Sequence, residues 1–344
     1  MNTDEAGTGW SVPGSQAEPA ATAATSATAV DGPPAPPGSL APDATPVQFN
    51  RAGPLTDLEA ESGDGAAAVP RLKLQPMTVA DILDGAFSII KARPARILGI
   101  TALFVVPTYF FAAFLQRDAV GFNALVNVFT SDDPAVTADA ASNSGPGYFE
   151  NTLTLLLPIL ALVFVAAAIA HLAGAWTVGR DVPAGELLTM LGRRSWALFA
   201  SFLLVHAFEA LGIIACYVGI AFLMPFFSVT APVIGAEGLG PLAAMRRSAN
   251  LATRRYWAVF GIGLLIALTS TLLGYALGRI PMLVADLAGY DWPWPVNAAG
   301  AIVGAVVVTP FVGAATSLLY LDLRVRTEGL DIELAAIDLA HDAA

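Results

Sequence analysis

The chain has 344 residues, of which 56% are hydrophobic and only 13% are charged, and its formal net charge at pH 7 is −11. Soluble domains carry about 25% charged residues, so this composition, with a mean hydropathy of +0.64, excludes an ordinary soluble domain and indicates a membrane protein. The basic residues form short clusters beside apolar runs rather than a basic domain, which argues against nucleic acid as a partner.

The first 70 residues are rich in Ala, Pro, Gly, Ser, Thr and acidic side chains. They lack the periodic large apolar residues that offset the entropy of ordering, so the sequence predicts a disordered tail over 1–70. A partner-binding segment is the alternative. No basic region followed by an apolar one opens the chain, so we expect no signal peptide. The single cysteine, Cys216, excludes an intramolecular disulfide.

A short amphipathic helix is predicted over 78–91, before the first long apolar run. Thr78 is the expected N-cap, with Asp81 three residues later in a capping-box position, and Pro94 ends the helix. One apolar face along such a helix suits a membrane surface. That face is expected to contain Val79, Ile82, Leu83, Ala86 and Ile90.

Five charge-poor stretches follow, and the third of them, 195–236, is long enough for two membrane passes. A pass needs about 20 residues at 1.5 Å each. The sequence therefore predicts an all-α polytopic membrane protein in which a six-helix domain occupies 71–334 and a C-terminal tail occupies 335–344. The expected spans are 97–116, 151–175, 195–213, 216–236, 256–278 and 298–321.

The distribution of Lys and Arg agrees with six spans. Fourteen of these residues then fall on one side and only Arg117 and Arg279 on the other, leaving aside Arg51 in the tail. Because basic residues collect on the cytoplasmic side, we expect both termini in the cytoplasm and the protein in the cell membrane. The outer loops are then the acidic loop 117–150, a tight turn, and 279–297, whose Tyr290, Trp292 and Trp294 suit an aromatic belt.

One motif occurs twice in the chain. Residues 193–199 read RRSWALF and residues 254–260 read RRYWAVF, and 93–98 (RPARIL) is a weaker relative. Each copy follows an amphipathic stretch, at 78–91, 184–192 or 241–253, and precedes two spans. The sequence therefore predicts three repeats of a surface helix plus a transmembrane hairpin, all in the same orientation.

The basic residues of these motifs are candidate contacts for lipid headgroups. Each basic side chain near an anionic membrane surface contributes about 1 kcal/mol. The simpler alternative is that the arginines reach to headgroups while each tryptophan lies at the interface, as in many membrane helices. The candidates are Arg193, Arg194, Arg246, Arg247, Arg254 and Arg255.

His206 and Glu209 form a candidate intramembrane polar pair. They lie one turn apart on the third span and share a face. An acid inside a membrane span suggests a functional site, although Glu209 could instead lie near the outer headgroups and bond to His206 or water. No metalloprotease, nucleophile-elbow or phosphate-loop motif accompanies the pair, so we expect no enzyme activity, no cofactor and no metal.

Several short segments resemble a family of bacterial, mainly actinobacterial, six-helix membrane proteins, the glycerophosphoryl diester phosphodiesterase membrane domain family. The segments are 81–87 (DILDGAF), 231–234 (APVI), 237–242 (EGLGPL), 246–248 (RRS), 254–257 (RRYW) and 320–331 (YLDLRVRTEGLD). In the proteins that give the family its name, such a domain precedes a soluble catalytic barrel. Only 23 residues follow Leu321 here, so the resemblance implies a stand-alone membrane domain without that activity.

These features favour a non-catalytic membrane module that organises lipid, with anionic headgroups as candidates, or partner proteins, including a second copy of the chain. A transporter or permease subunit is the alternative, because of the six helices, the prolines inside four of the spans and the pair of His206 and Glu209. An intramembrane lipid enzyme is a third hypothesis with less support.

Overall fold

The computed structural model describes residues 70–72, 74–116, 148–214, 218–289 and 293–342, and every regular element in these ranges is an α-helix. The helices are α1 (Val79–Ala92), α2 (Pro94–Leu115), α3 (Tyr148–Thr177), α4 (Ala184–Ile214), α5 (Val218–Phe227), α6 (Thr230–Glu237), α7 (Pro241–Thr253), α8 (Tyr256–Leu287), α9 (Pro293–Glu328) and α10 (Leu330–Asp342). The all-α prediction is therefore confirmed for the described part of the chain.

Five helices, α2, α3, α4, α8 and α9, are long and apolar enough to cross a membrane. Their candidate spans are Pro94–Leu115, Thr152–Thr177, Ala184–Ala210, Tyr256–Pro281 and Trp294–Glu328. Helices of this length and composition can bury their apolar side chains in a bilayer and satisfy their own backbone hydrogen bonds there. The chain is accordingly a membrane protein.

The predicted amphipathic helix is present as α1, with the expected cap. The Thr78 hydroxyl accepts a hydrogen bond from the Asp81 amide (3.3 Å), and the Asp81 carboxylate accepts one from the Thr78 amide (2.7 Å). Its buried face differs by part of a turn from the predicted one: Ile89 is fully buried, whereas Val79 is 39% exposed. The reason is that α1 packs against α9, where Phe87 contacts Phe311.

The two copies of the basic motif have different local structures. Residues 184–192 and the following span form one continuous helix, α4. In the second copy, a turn at Arg254 and Arg255 separates α7 from α8. The amphipathic stretch is thus a separate helix in one copy and the first turns of a long helix in the other.

The stretch expected as the fourth span is divided into α5 and α6. Pro225 and Pro232 lack the amide hydrogen that continues an α-helix, and the Ser228 hydroxyl donates to the Pro225 carbonyl (2.9 Å) at the break. Neither piece alone reaches the length of a membrane span. The division therefore follows from the two prolines.

The core lies where α3 and α9 meet α1, α4 and α6. Its largest fully buried side chains include Trp176, Phe311 and Tyr320. Helix α6 approaches α3 so closely that a β-carbon at Gly235 would lie 2.1 Å from the Ala167 carbonyl oxygen, so glycine is required at this position. This contact packs the short α6 directly against α3 in the buried core of the bundle.

Some predictions concern residues outside the described ranges. These are the disordered tail up to residue 69, the part of the outer loop up to residue 147, Lys73, Cys216, Tyr290 and Trp292. Trp294 is described, and its ring contacts Phe110 and Phe114 of α2.

Candidate functional site

One end of the helix bundle contains a set of ion pairs that joins residues far apart in sequence; we call it the charged end. It is built around Asp181, Glu237, Arg247, Asp322 and Glu328. The segment before α1 crosses this end, because the Leu72 amide donates to the Trp176 carbonyl at the end of α3 (3.1 Å).

Arg247 of α7 bridges two carboxylates. Its Nε atom donates to Glu237 (3.1 and 3.2 Å), and its two terminal nitrogens form a fork-to-fork pair with Glu328 of α9, with Nη2 at 2.8 Å from Oε2. The Tyr320 hydroxyl donates to the same Glu237 carboxylate (2.8 Å). Hydrogen bonding to Glu328, and then to Glu237, raises the pKa of Arg247 although burial opposes this. Arg247 is therefore a permanent cation that joins α6, α7 and α9.

Asp322 is the buried acceptor of a second cluster. Its side chain is only 3% exposed, and it accepts from Arg326 Nε (2.8 Å) and from the Met77 amide (2.7 Å). Arg326 also donates to the Met77 carbonyl (2.6 Å). Arg255 Nη1 lies 3.7 Å from the same carboxylate. Asp322 thus joins the start of α1, the end of α9 and the turn before α8.

The six arginines predicted to contact lipid have different surroundings. Besides Arg247 and Arg255, Arg254 donates to the Thr327 carbonyl (3.3 Å). The Arg194 guanidinium lies over Gly238, where a β-carbon would be 2.7 Å from Nη2. Arg193 and Arg246 are exposed and form no ion pair with any residue that the structure describes. Among the six candidates, Arg193 and Arg246 are therefore the most available to an external anion, because they are exposed and have no such contact.

Trp196 and Trp257 follow the arginine pairs of the two motif copies. Trp196 lies where the apolar part of α4 begins, and Trp257 lies at the start of α8. Their side chains are 72% and 71% exposed. A tryptophan exposed next to arginine at the start of a membrane-length helix is typical of the lipid interface.

Asp181, in the connection between α3 and α4, binds the arginines of the weaker third motif. It accepts from Arg96 at 2.6 and 3.2 Å, and Arg93 lies at 3.8 Å. Arg96 also donates to the Val182 carbonyl. The hydrogen bond from Arg96 lowers the pKa of Asp181; partial burial opposes this, and the charges of Arg96 and Arg93 add to it. This pair joins α2 to the α3–α4 connection.

The structure places His206 and Glu209 together on α4, with Nε2 and Oε2 separated by 3.7 Å. His206 Nδ1 donates to the Phe202 carbonyl (2.8 Å), because a carbonyl oxygen only accepts. Both side chains line a cavity of about 260 Å³ that also includes Ser201 and Thr230. The Thr230 hydroxyl is buried and has no hydrogen-bond partner among the described residues. The cavity therefore combines an apolar wall with several polar groups.

Sequence reasoning missed the acidic partners of the arginines. Glu237 lies in the segment 237–242, and Asp322 and Glu328 lie in the segment 320–331. The spacing of Asp322 and Arg326, and of Arg324 and Glu328, is the i,i+4 pattern of helical ion pairs, and this was the available signal.

Compared with known protein families, characterised proteins and solved structures, the chain matches none of them. Among the described residues, no group of three or more His, Cys, Asp or Glu side chains is placed to hold a metal ion.

Proposed function

We propose that this chain is a six-span protein of the cell membrane that acts without catalysis and organises anionic lipid, or a partner protein, at its charged end. In this proposal the chain consists of three repeated units, its two termini are cytoplasmic, and it is a stand-alone member of the membrane-domain family that its motifs resemble. The observation that carries the proposal is the exposure of Arg193 and Arg246 beside a fixed set of ion pairs.

The return of the chain after α4 supports six passes. The Arg194 guanidinium, near the start of α4, lies against Gly238 at the end of α6. Arg247, on the next helix, is paired with Glu328 at the charged end. Helices α5 and α6 therefore bring the chain back to the end from which α4 departs, as a fourth pass would.

The ion pairs favour a surface that binds a ligand over an active site that carries out a reaction. Arg247, Arg255 and Arg326 are held by the protein's own carboxylates, which fixes the helix ends. Because the helix ends are already fixed, Arg193 and Arg246 can bind an anionic headgroup without the entropic cost of ordering the backbone around them. Two such cations contribute about 2 kcal/mol near an anionic surface, at about 1 kcal/mol each.

The experiment is a lipid titration of purified wild-type protein and the Arg193→Gln/Arg246→Gln double variant, with phosphatidylglycerol and with phosphatidylcholine, followed by native mass spectrometry. The double variant should bind phosphatidylglycerol roughly thirtyfold more weakly, because it loses two charges at about 1 kcal/mol each. Arg279→Gln is the single-charge control: it removes one positive charge about 35 Å along α8 from Tyr256. Equal retention of phosphatidylglycerol by all three proteins would exclude the lipid proposal.

A transporter or permease subunit is the second candidate function, and the cavity around His206 and Glu209 favours it. Acids on membrane helices that face a cavity often mark ion and solute pathways. Uptake of candidate solutes and ions is measured in proteoliposomes with wild-type protein and Glu209→Ala. Uptake by the wild type no greater than by protein-free liposomes would exclude this function, and uptake left unchanged by Glu209→Ala would remove the support that the cavity gives it.

A further inference from the structure

A second polar cavity, separate from the one around His206, lies at the charged end. Its volume is about 270 Å³, and it opens between the end of α3, the α3–α4 connection, α6 and the end of α9. Its polar lining consists of His171, Thr177, Arg180, Tyr320 and Arg324. The cavity therefore has basic side chains on several walls.

Glu186 and Glu328, the carboxylates bonded to the cavity's arginines, are not among its lining residues. Arg180 Nη1 donates to Glu186 (2.8 Å), and Arg324 Nε donates to Glu328 (3.0 Å). Each guanidinium has five N–H donors in a fixed plane. One bond to a carboxylate orients the plane and leaves further donors for a ligand inside the cavity.

His171 is the third nitrogen-bearing side chain in the lining of the cavity, after Arg180 and Arg324. Its Nδ1 donates to the Gly235 carbonyl (3.0 Å), because that oxygen can only accept. Its Nε2 is buried and has no hydrogen-bond partner in the described part of the chain; the nearest acidic atom is Glu186 Oε1 at 3.6 Å. A buried nitrogen without a partner is costly, and a bound ligand can supply that partner.

We infer that this cavity binds a phosphate group, either on a soluble compound or on a phospholipid headgroup. Planar guanidinium groups on two walls match the several acceptor oxygens of a phosphate. The volume equals that of about nine liquid water molecules at ~30 Å³ each, which suffices for a phosphate and a small substituent. Arg180 and Arg324 bind the phosphate oxygens, and His171 Nε2, whose ring already donates through Nδ1, accepts from a hydroxyl group of the ligand.

This site is independent of the lipid surface proposed above, since it uses neither Arg193 nor Arg246. The test uses the full chain purified in a maltoside detergent, which contains no phosphate. In one arm inorganic phosphate is titrated and binding is measured by calorimetry. In the other arm short-chain phosphatidic acid is added to the same micelles and bound lipid is counted by native mass spectrometry.

Two variants and one control make the test specific to the cavity. Arg180→Gln removes one of the proposed donors. Gly174→Leu adds bulk to a lining position while it retains every charge, and a β-carbon at position 174 meets no atom within 4 Å. Arg279→Gln removes a charge far from the cavity.

We expect the wild type and Arg279→Gln to bind the phosphate group, with Arg180→Gln and Gly174→Leu each at least tenfold weaker. Binding of inorganic phosphate identifies a soluble ligand, and binding of phosphatidic acid alone identifies a lipid headgroup; either result supports the site. The inference is overturned if neither probe binds or if both cavity variants bind as the wild type does. Normal phosphate binding together with unchanged phosphatidylglycerol retention in Arg193→Gln/Arg246→Gln would reject only the surface proposal.

Discussion

Gly300 of α9 faces the carbonyl oxygen of Gly278 on α8 so closely that a β-carbon at position 300 would lie 2.2 Å from that oxygen. Small residues allow membrane helices to approach in this way, and close packing is what holds them together inside a bilayer. Gly300→Ala must therefore push α8 away from α9. We expect a loss of about 1–3 kcal/mol, seen as a lower unfolding temperature in mild detergent.

The control for this prediction is Gly263→Ala, at another position of the partner helix α8. A β-carbon there meets no atom within 4 Å, and alanine stabilises a helix interior by up to about 1 kcal/mol relative to glycine. This variant should unfold at the wild-type temperature or above it. Equal melting temperatures for the two variants would show that the contact between α8 and α9 does not contribute to stability.

Asp322→Asn should destabilise the charged end. The amide retains the shape of the side chain but not its charge, so Arg326 and Arg255 lose their common partner. Loss of a buried, charge-assisted acceptor costs about 1–3 kcal/mol, measured as the shift of the thermal unfolding midpoint. Asp84→Asn removes the same charge from an exposed position of α1 and should change the midpoint little. A midpoint for Asp322→Asn equal to that of Asp84→Asn would contradict this account.

The positions of the membrane-length helices could be predicted from the sequence because hydropathy and charge act locally. The five charge-poor runs correspond to α2, to α3, to α4 with α5 and α6, to α8 and to α9, and Thr78 with Asp81 marks the start of α1. The division of the fourth expected span, 216–236, has a local signal as well, since Pro225 and Pro232 both remove backbone donors.

The contacts between helices could not be predicted in the same way. Arg247 and Glu328 are 81 positions apart, and no periodicity in either helix indicates which residue the other will meet. The same limitation explains why the burial of Ile89 could not be predicted. Helix α1 has apolar residues on more than one face, and its packing on α9 determines which of them is buried. The sequence therefore predicts the arginines as lipid contacts, whereas the carboxylates that bind Arg247 and Arg255 are visible only in the folded chain.

Asp181→Asn should remove a part of the stability that depends on pH. The pKa of Asp181 is lowered in the folded protein, chiefly by the hydrogen bond from Arg96. A lowered pKa means that the carboxylate stabilises the fold above the unfolded value, near 3.9, and that this stability is lost as the pH falls through the folded pKa. The side chain is 30% exposed, so the effect at neutral pH is at most about 1 kcal/mol.

The measurement is the difference in unfolding temperature between wild type and Asp181→Asn at several pH values from 7 to about 2.5, a range set by the carboxyl pKa. The difference should be largest at neutral pH and should vanish below the folded pKa. Arg96→Gln should remove the same pH-dependent difference, because it removes the main cause of the pKa shift. A constant difference between wild type and Asp181→Asn over the whole range would assign the effect of the variant to packing instead.

Reporter fusions at residues 95, 135, 185, 250, 290 and 330 test the six-span topology, because α5 and α6 either cross the membrane together or enter and leave it on one side. If they cross, fusions at 185 and 250 report the same, cytoplasmic side, and the full series reads in, out, in, in, out, in. If they do not cross, the fusion at 250 reports the side opposite to 185. The contact between Arg194 and Gly238 and the pairing of Arg247 with Glu328 both require residues 194, 238, 247 and 328 at one end of the bundle, so we expect the first result. An extracellular reading at 250 would be incompatible with those contacts in a membrane and would reject the six-span topology.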